Sequence, residues 1–276
     1  MEPIIIVAYL GVGTVAGFLG GMLGIGGGVI MVPALFAIFS VSGWEDSLAI
    51  KMAIGTSLSA IIFTSIAAIR SQMKRGTINW SLVKIWTPFI LLGSFCSGYI
   101  AYILPGEIIK GFIGGFLFLA AIVMLFRWKP APGRQLPGYL GTSFTSFFAG
   151  MASALAGIGG GNIIVPTLTW FNVPVKNATA TSSTLGLPIS VFGTAGFVSA
   201  GFKMASLPEY SLGYVYLPAM ALVATMTFIC APMGVAVAHK ISATSLKQVF
   251  GVLLLMVSCR MLYNLIFDLS KIHVTY

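Results

Sequence analysis

Two glycine-rich runs are the stretches of this chain best suited to bind a ligand. Gly24–Gly28 reads Gly-Ile-Gly-Gly-Gly and is followed by Pro33, and Gly157–Gly161 repeats the pattern before Pro166. Each glycine costs a helix roughly 1 kcal/mol relative to alanine and leaves its backbone N–H uncovered. Each run therefore predicts a break inside an apolar segment, followed by a helix N-terminus that can seat an anion. The predicted binding glycines are Gly26, Gly27, Gly28, Gly159, Gly160 and Gly161.

Glycine-rich runs of this kind have two other interpretations. A dinucleotide or phosphate loop would need an acidic partner at Rossmann spacing or a Walker Lys-Ser/Thr pair, and neither follows the runs. Close packing of helices at small residues stays open as the structural alternative.

Hydroxyl and amide side chains near the runs are the next candidates. Thr56 and Ser57 in one apolar segment correspond to Thr181 and Ser182 in another. Several donors with few acceptors suit an oxyanion, although such hydroxyls also bond to carbonyls of their own helix. Asn162 stands where the first run has Val29, and it either adds a donor or caps the helix that follows.

Three cations are candidates for the pathway of an anion. Lys51 and Lys176 each precede a Thr-Ser pair by five residues, where an ammonium group often extends to the membrane interface instead. Arg260 is the only arginine well inside an apolar segment. A charge there costs about 2.5–3.5 kcal/mol, which marks a functional candidate unless the side chain reaches the interface or a carbonyl.

Composition predicts an all-α polytopic membrane protein. Of the 276 residues, 58% are hydrophobic and 8% charged, whereas soluble domains average about 25% charged. The net charge of +9 is carried by short loops, which indicates membrane orientation and no nucleic-acid partner. No Cys/His/Asp/Glu cluster has metal spacing, and His239 and His273 lie at segment ends, so we expect no metal, no cofactor and no enzyme activity.

The apolar segments divide the chain into two homologous halves. We predict a first transmembrane repeat at 1–128, a basic linker at 129–137 and a second repeat at 138–276. Lys51, Gly55, Thr56 and Ser57 match Lys176, Ala180, Thr181 and Ser182 at one offset, while Lys110 and Gly114 match Lys247 and Gly251 at another. The ten segments are 4–23, 29–40, 49–69, 82–103, 108–126, 138–156, 162–171, 177–200, 212–238 and 248–267.

Two segments, 29–40 and 162–171, are too short to cross alone. Twelve residues make about 18 Å of helix, against a hydrocarbon core of about 30 Å. If they complete a crossing, the halves are inverted in a 5+5 plan, which we prefer; if they re-enter, the halves are parallel in a 4+4 plan. Both plans place the loops Arg70–Lys84 and Arg127–Arg134 in the cytoplasm. Broken backbone at that depth is tolerated only against protein or a wet cavity, which the glycine runs should line.

The paired glycine motifs, the Thr-Ser pairs and the loop Arg75-Gly76-Thr77-Ile78-Asn79-Trp80 make the chain resemble the sulfite exporter TauE/SafE family. The resemblance covers both halves. It implies a multi-pass permease, usually an exporter, for sulfite, sulfoacetate or another organosulfonate, with sites at the glycine runs and Thr-Ser pairs. The departure is Val29 where the second half has Asn162.

We therefore expect an inner-membrane transporter that moves a small sulfur oxyanion by rocking its halves. The expected partners are the anion and the lipid bilayer, with a homo-oligomer left open. The alternatives are a permease for another anion, including uptake of thiosulfate or sulfate, and a transporter of a cation or other metabolite.

Overall fold

The computed structural model describes residues 2–23, 26–74, 76–125, 138–204, 207–238, 248, 251–252 and 254–263. Several sequence predictions lie outside these residues: those for Gly24, Ile25, Arg75, the linker 129–137 with Arg127, His239, Lys240, Lys247 and His273.

The described chain folds into helices joined by short connections and one small hairpin. The helices are α1 Pro3–Leu23, α2 Gly28–Val41, α3 Asp46–Met73, α4 Trp80–Ile103, α5 Gly106–Leu125, α6 Tyr139–Leu155, α7 Gly161–Trp170, α8 Val175–Gly201, α9 Leu217–Ala238 and α10 Leu254–Tyr263. Strands β1 Ser211–Leu212 and β2 Val215–Tyr216 pair antiparallel between α8 and α9.

The prediction of an all-α polytopic membrane protein is confirmed. Within the described residues, six helices are long and apolar enough to cross a membrane, namely α1, α3, α4, α5, α8 and α9. The ninth predicted segment starts too early, because residues 211–216 form the hairpin and α9 begins at Leu217. Positive φ angles at Tyr210 and Gly213 turn the chain there, and Pro218 fits the first turn of the helix.

The short helix α2 folds back along α1. A Cβ built on Gly27, before α2, would meet the carbonyl oxygen of Ala16 in α1. Near the other end of α2, the rings of Phe39 and Tyr9 lie 6.4 Å apart. Since Gly27 lies beside the later residue of α1 and Phe39 beside the earlier one, α2 runs antiparallel to α1. It therefore returns to the end of the bundle where α1 starts, and α3 leaves from that end.

Helices α3 and α8 form the centre of the bundle. In the most apolar 18-residue stretch of α3, 78% is buried, whereas in that of α1 only 33% is buried. A Cβ on Gly193 would lie 3.1 Å from Leu58, and one on Gly186 would lie 3.1 Å from Ser65, so the two helices run antiparallel. This relation is the one expected of equivalent helices in an inverted plan. The duplication and the arrangement of the two repeats stay predictions.

The outer helices pack through small residues. Gly17 and Gly21 of α1, four positions apart, lie against Thr227 and Ala231 of α9. Removing side chains at this spacing lets two backbones approach closely, which favours helix association in lipid. Helices α4 and α6 form the other extensive outer pair, so each half packs against the other on two sides.

The two ends of the bundle differ in charge. We call the end with the starts of α1, α3, α5 and α9 the acidic face, because Glu2, Glu45, Asp46, Glu107 and Glu209 lie there. The opposite end is the basic face, and it carries Arg70, Lys74, Lys84 and Lys176.

Candidate functional site

The two glycine runs lie directly against each other inside the protein. A Cβ built on Gly26 would lie 3.4 Å from the Cα of Gly159, and one on Gly28 would meet the carbonyl oxygen of Gly157. Gly28 and residues 157–162 are buried. Two breaks that are far apart in sequence therefore share one interior site, which is the juxtaposition that the anion hypothesis needs.

Glycine is required at the residue before each broken helix. Gly27 has φ 79° and Gly160 has φ 83°, and each is the N-cap of the helix that follows. An L side chain in this left-handed region costs roughly 1–2 kcal/mol. The turn directs the first N–H groups of α2 and α7 out of the helix start, where they lack partners within the helix.

The start of α7 carries buried polar atoms that lack protein partners. Asn162 is 4% exposed, and neither its amide nitrogen nor its amide oxygen has a hydrogen bond. Ser182 of α8 is fully buried, and its hydroxyl is also unpartnered. A Cβ on Gly186 would lie 2.7 Å from the carbonyl oxygen of Gly159, so α8 contacts this break one helical turn after Ser182. Unsatisfied buried groups cost about 1–3 kcal/mol each and call for an explanation.

The equivalent residues of the first half are occupied differently. Ser57 donates a hydrogen bond to the carbonyl oxygen of Gly157, with an O···O distance of 3.0 Å. Val29 stands at the position of Asn162 and offers no polar group. Ser57 therefore fixes the second break, while Ser182 and Asn162 keep their capacity to bind, and the site is asymmetric in chemistry.

The paired threonines hold loops of the opposite half. The Oγ1 atom of Thr56 accepts a hydrogen bond of 3.0 Å from the backbone N–H of Tyr216. The Oγ1 atom of Thr181 accepts one of 3.1 Å from the backbone N–H of Asn79. Both threonines are fully buried. In this structure they act as acceptors from protein backbone, whereas the sequence hypothesis has them donating to an anion.

Other hydroxyls near the Thr-Ser pairs bond within their own helices. Ser183 donates to the carbonyl oxygen of Thr179, Thr184 to that of Ala180 and Ser59 to that of Thr56. This is the local bonding that competes with a ligand role for Ser and Thr in helices.

The three cationic candidates are not gathered at the breaks. Lys51 is 9% exposed, and its ammonium group donates a hydrogen bond of 3.4 Å to the carbonyl oxygen of Tyr102 near the acidic face. Lys176 is exposed at the start of α8 on the basic face. Arg260 is exposed in α10 and lines a cavity with Asp46 and Lys110 on the acidic side.

Sequence reasoning missed that two loops reach the threonines, and it had singled out the first loop, Arg75 to Trp80, for the family resemblance alone. Gly76 to Trp80 precedes α4 as Gly213 to Leu217 precedes α9, and both glycines have positive φ, at 62° and 55°. The offset between these stretches equals that between Lys110 and Lys247, which is the signal that could have found them.

A buried tyrosine in the hairpin was also missed. Tyr214 is fully buried with an unpartnered hydroxyl, and burial, with a smaller contribution from Tyr102, raises its pKa to about 12. Ser153 of α6, four residues before Gly157, is a further buried hydroxyl without a partner. Among the described residues, no group of three or more His, Cys, Asp or Glu side chains could hold a metal ion.

Comparisons with known proteins agree with this architecture. A family model described as "Sulfite exporter TauE/SafE" matches residues 9–261. A probable membrane transporter protein of Haemophilus influenzae is 35% identical, over 91% of this chain and 95% of its own. One from Methanocaldococcus jannaschii is 31% identical, over 86% and 87%, and one from Bacillus subtilis is 25% identical, over 93% and 97%. No solved structure matches.

Proposed function

The chain belongs to the sulfite exporter TauE/SafE family, and from that premise we propose that it exports a small sulfur-containing oxyanion seated at the start of α7. Membership makes the chain a multi-pass membrane transporter and not an enzyme. The proposal adds a substrate class, a seat, a direction and an inner-membrane location with the basic face towards the cytoplasm.

The observation that carries the proposal is the unpartnered polar set at Asn162 and Ser182. The Asn162 amide nitrogen and the Ser182 hydroxyl are donors, and the first N–H groups of α7 add more. A helix N-terminus favours negative charge, so these donors suit an oxyanion. The amide oxygen of Asn162 can accept a hydrogen bond from the O–H group of a hydrogen oxyanion such as hydrogensulfite.

The distribution of acids supports an anionic substrate. The described acids lie at the ends of helices or in connections, away from the breaks. A cation seat inside the bundle would need carboxylates or an array of carbonyl groups, and a carboxylate beside the breaks would repel an anion.

The hydrogen bonds between the threonines and the two loops close the protein at its two ends. Asn79 lies at the basic face and Tyr216 in the hairpin of the acidic side, and each binds a threonine of the opposite half. Both hydrogen bonds are present in this structure, so the seat is covered from both ends. Transport then requires one loop to release its threonine while the other stays bound, as in alternating access.

The test is flux of sulfite and of sulfoacetate in proteoliposomes. Asn162→Val copies the residue of the first half, and Ser182→Ala removes the free hydroxyl; each should lower flux about tenfold or more with an unchanged thermal midpoint, since neither group has a protein partner to lose. Ser57→Ala is the matched control, because it loses the bond to Gly157 and should lower the midpoint while flux per folded protein is kept. Unchanged flux in both Asn162→Val and Ser182→Ala would remove the seat, and transport of cations in place of anions would remove the substrate class.

A further inference from the structure

A second feature of interest is a cavity of about 470 Å³ between α1, α2, α5 and α10. One face of α2 lines it, through Ile30, Ala34, Ala37 and Val41. The eleven residue steps from Ile30 to Val41 correspond to about 16 Å of helix. The cavity therefore follows α2 from the acidic face to within three residues of Gly27, where the break begins.

Three charged side chains line the cavity, namely Asp46, Lys110 and Arg260. Lys110 is 4% exposed, lies 2.6 Å from the Oδ2 atom of Asp46 and sits 4.9 Å above the ring of Phe36. Ser40 donates a hydrogen bond of 3.0 Å to the other oxygen of Asp46. Lys110 and Asp46 thus balance each other, and their groups are engaged.

Arg260 is the third charged side chain, and the Lys110–Asp46 pair does not neutralise it. It lines the same cavity from α10, and it forms no ion pair with the described residues, whose one ion pair joins Lys110 to Asp46. The net charge of the three ionised groups is +1, carried by a guanidinium that holds several hydrogen-bond donors in a plane. A charge in a membrane helix without a partner is a functional candidate.

The size and lining of the cavity indicate an organic ligand. Its volume corresponds to about fifteen waters in the liquid, and most of the lining residues are apolar. An inorganic oxyanion at Arg260 would leave the length of α2 wet, whereas sites of a few hundred Å³ with apolar walls and few polar groups are typical for organic molecules.

We propose that this cavity binds an organic monoanion with an apolar body, its anionic head at Arg260 and its body along Ala37, Ala34 and Ile30 of α2. The proposal rests on the transport function proposed above and deepens it, because the cavity leads along α2 to the glycine breaks. It places a second binding site on the acidic side, distinct from the seat at α7, and it selects for substrates with an apolar part.

The test uses 1-octanesulfonate below its micellar concentration, titrated into the full chain in nanodiscs of zwitterionic lipid. We expect binding by the wild type, and affinities at least tenfold lower for methanesulfonate and for octyltrimethylammonium. Arg260→Gln should weaken octanesulfonate about tenfold or more, whereas Arg70→Gln, the same change at the basic face, should not. Ala37→Phe fills the path of the body and should weaken octanesulfonate without further weakening methanesulfonate.

Three results would overturn this proposal. The first is equal octanesulfonate affinity in the wild type and in Arg260→Gln, and the second is equal affinity for methanesulfonate and octanesulfonate. The third is a bound anionic phospholipid, detected by native mass spectrometry on the wild type but not on Arg260→Gln. If octanesulfonate does not displace this phospholipid, the occupant of the cavity is a lipid. The Asn162→Val variant separates this site from the seat: it should bind octanesulfonate normally, so loss of its flux bears on the seat alone.

Discussion

Removing one threonine hydroxyl should loosen one end of the protein and leave the other end closed. Thr181→Val takes away the acceptor of the Asn79 N–H, and Thr56→Val takes away that of the Tyr216 N–H. Valine matches threonine in shape, so packing is largely kept and the loss is that of the hydrogen bond. Because the two loops lie at opposite ends of the bundle, the two variants should have opposite sidedness.

The size of the expected increase in loop opening follows from the backbone N–H that loses its acceptor. Each threonine is fully buried, and each backbone N–H loses an acceptor at 3.0–3.1 Å. A buried donor left without a partner costs about 1–3 kcal/mol. Since both donors are only partly buried, we take about 1–2 kcal/mol, which multiplies the population of the open loop by about 5 to 30.

Hydrogen–deuterium exchange in nanodiscs measures this population. Thr181→Val should speed exchange of a peptide covering 76–79 by about 5- to 30-fold and leave 213–216 unchanged, and Thr56→Val should do the reverse. Thr225→Val is the control, because Thr225 is exposed and bonds only to the carbonyl of Ala221 in its own helix. If both peptides respond alike in both variants, or if neither responds, the loops are not separate closures and this account of access is wrong.

Two further predictions concern the breaks and the hairpin. Gly160→Ala should lower the free energy of unfolding by about 1–2 kcal/mol, because φ is 83° at this residue and a Cβ would lie 2.8 Å from the Cδ1 atom of Ile164. Thermal midpoints measure this loss, and the control is Gly115→Ala, whose new methyl group meets nothing within 4 Å. Tyr214 should make stability depend on alkaline pH: its pKa is raised from 10.0 to about 12, so its contribution is complete below pH 10 and is lost as the pH rises from 10 to 12. In Tyr214→Phe the loss over this pH range should be smaller than in the wild type, and an identical alkaline profile would contradict the assignment.

The helices and their breaks were predictable because their signals are local. Each signal depends on about ten neighbouring residues: the length of an apolar run, a glycine run, or Pro33 and Pro166 in the turns that follow. The glycine runs indicate where α2 and α7 begin, and these helices do start at Gly28 and Gly161. The hairpin before α9 was missed because Leu212, Val215 and the tyrosines continue the run of hydrophobic residues into the helix. The local signal against a helix there is Gly213, whose positive φ turns the chain between β1 and β2.

The roles of the hydroxyls could not be predicted because they depend on distant parts of the chain. Ser57 and Ser182 each follow a threonine in an apolar helix, yet Ser57 donates to the carbonyl oxygen of Gly157, a hundred residues away, and Ser182 has no acceptor. Thr56 finds its donor 160 residues away. Such pairings follow from how the two halves pack, which no local pattern of the sequence contains.

The exchange of loops between halves has a consequence for biosynthesis. Thr56 leaves the ribosome long before Tyr216 exists, so the first half cannot complete its own polar contacts while it is being inserted. A fragment ending near residue 128 should therefore be short-lived in cells, and co-expression with the remainder as a separate polypeptide should rescue it. Quality control of this protein would then act on matched halves, and neither half could evolve its loop without the other.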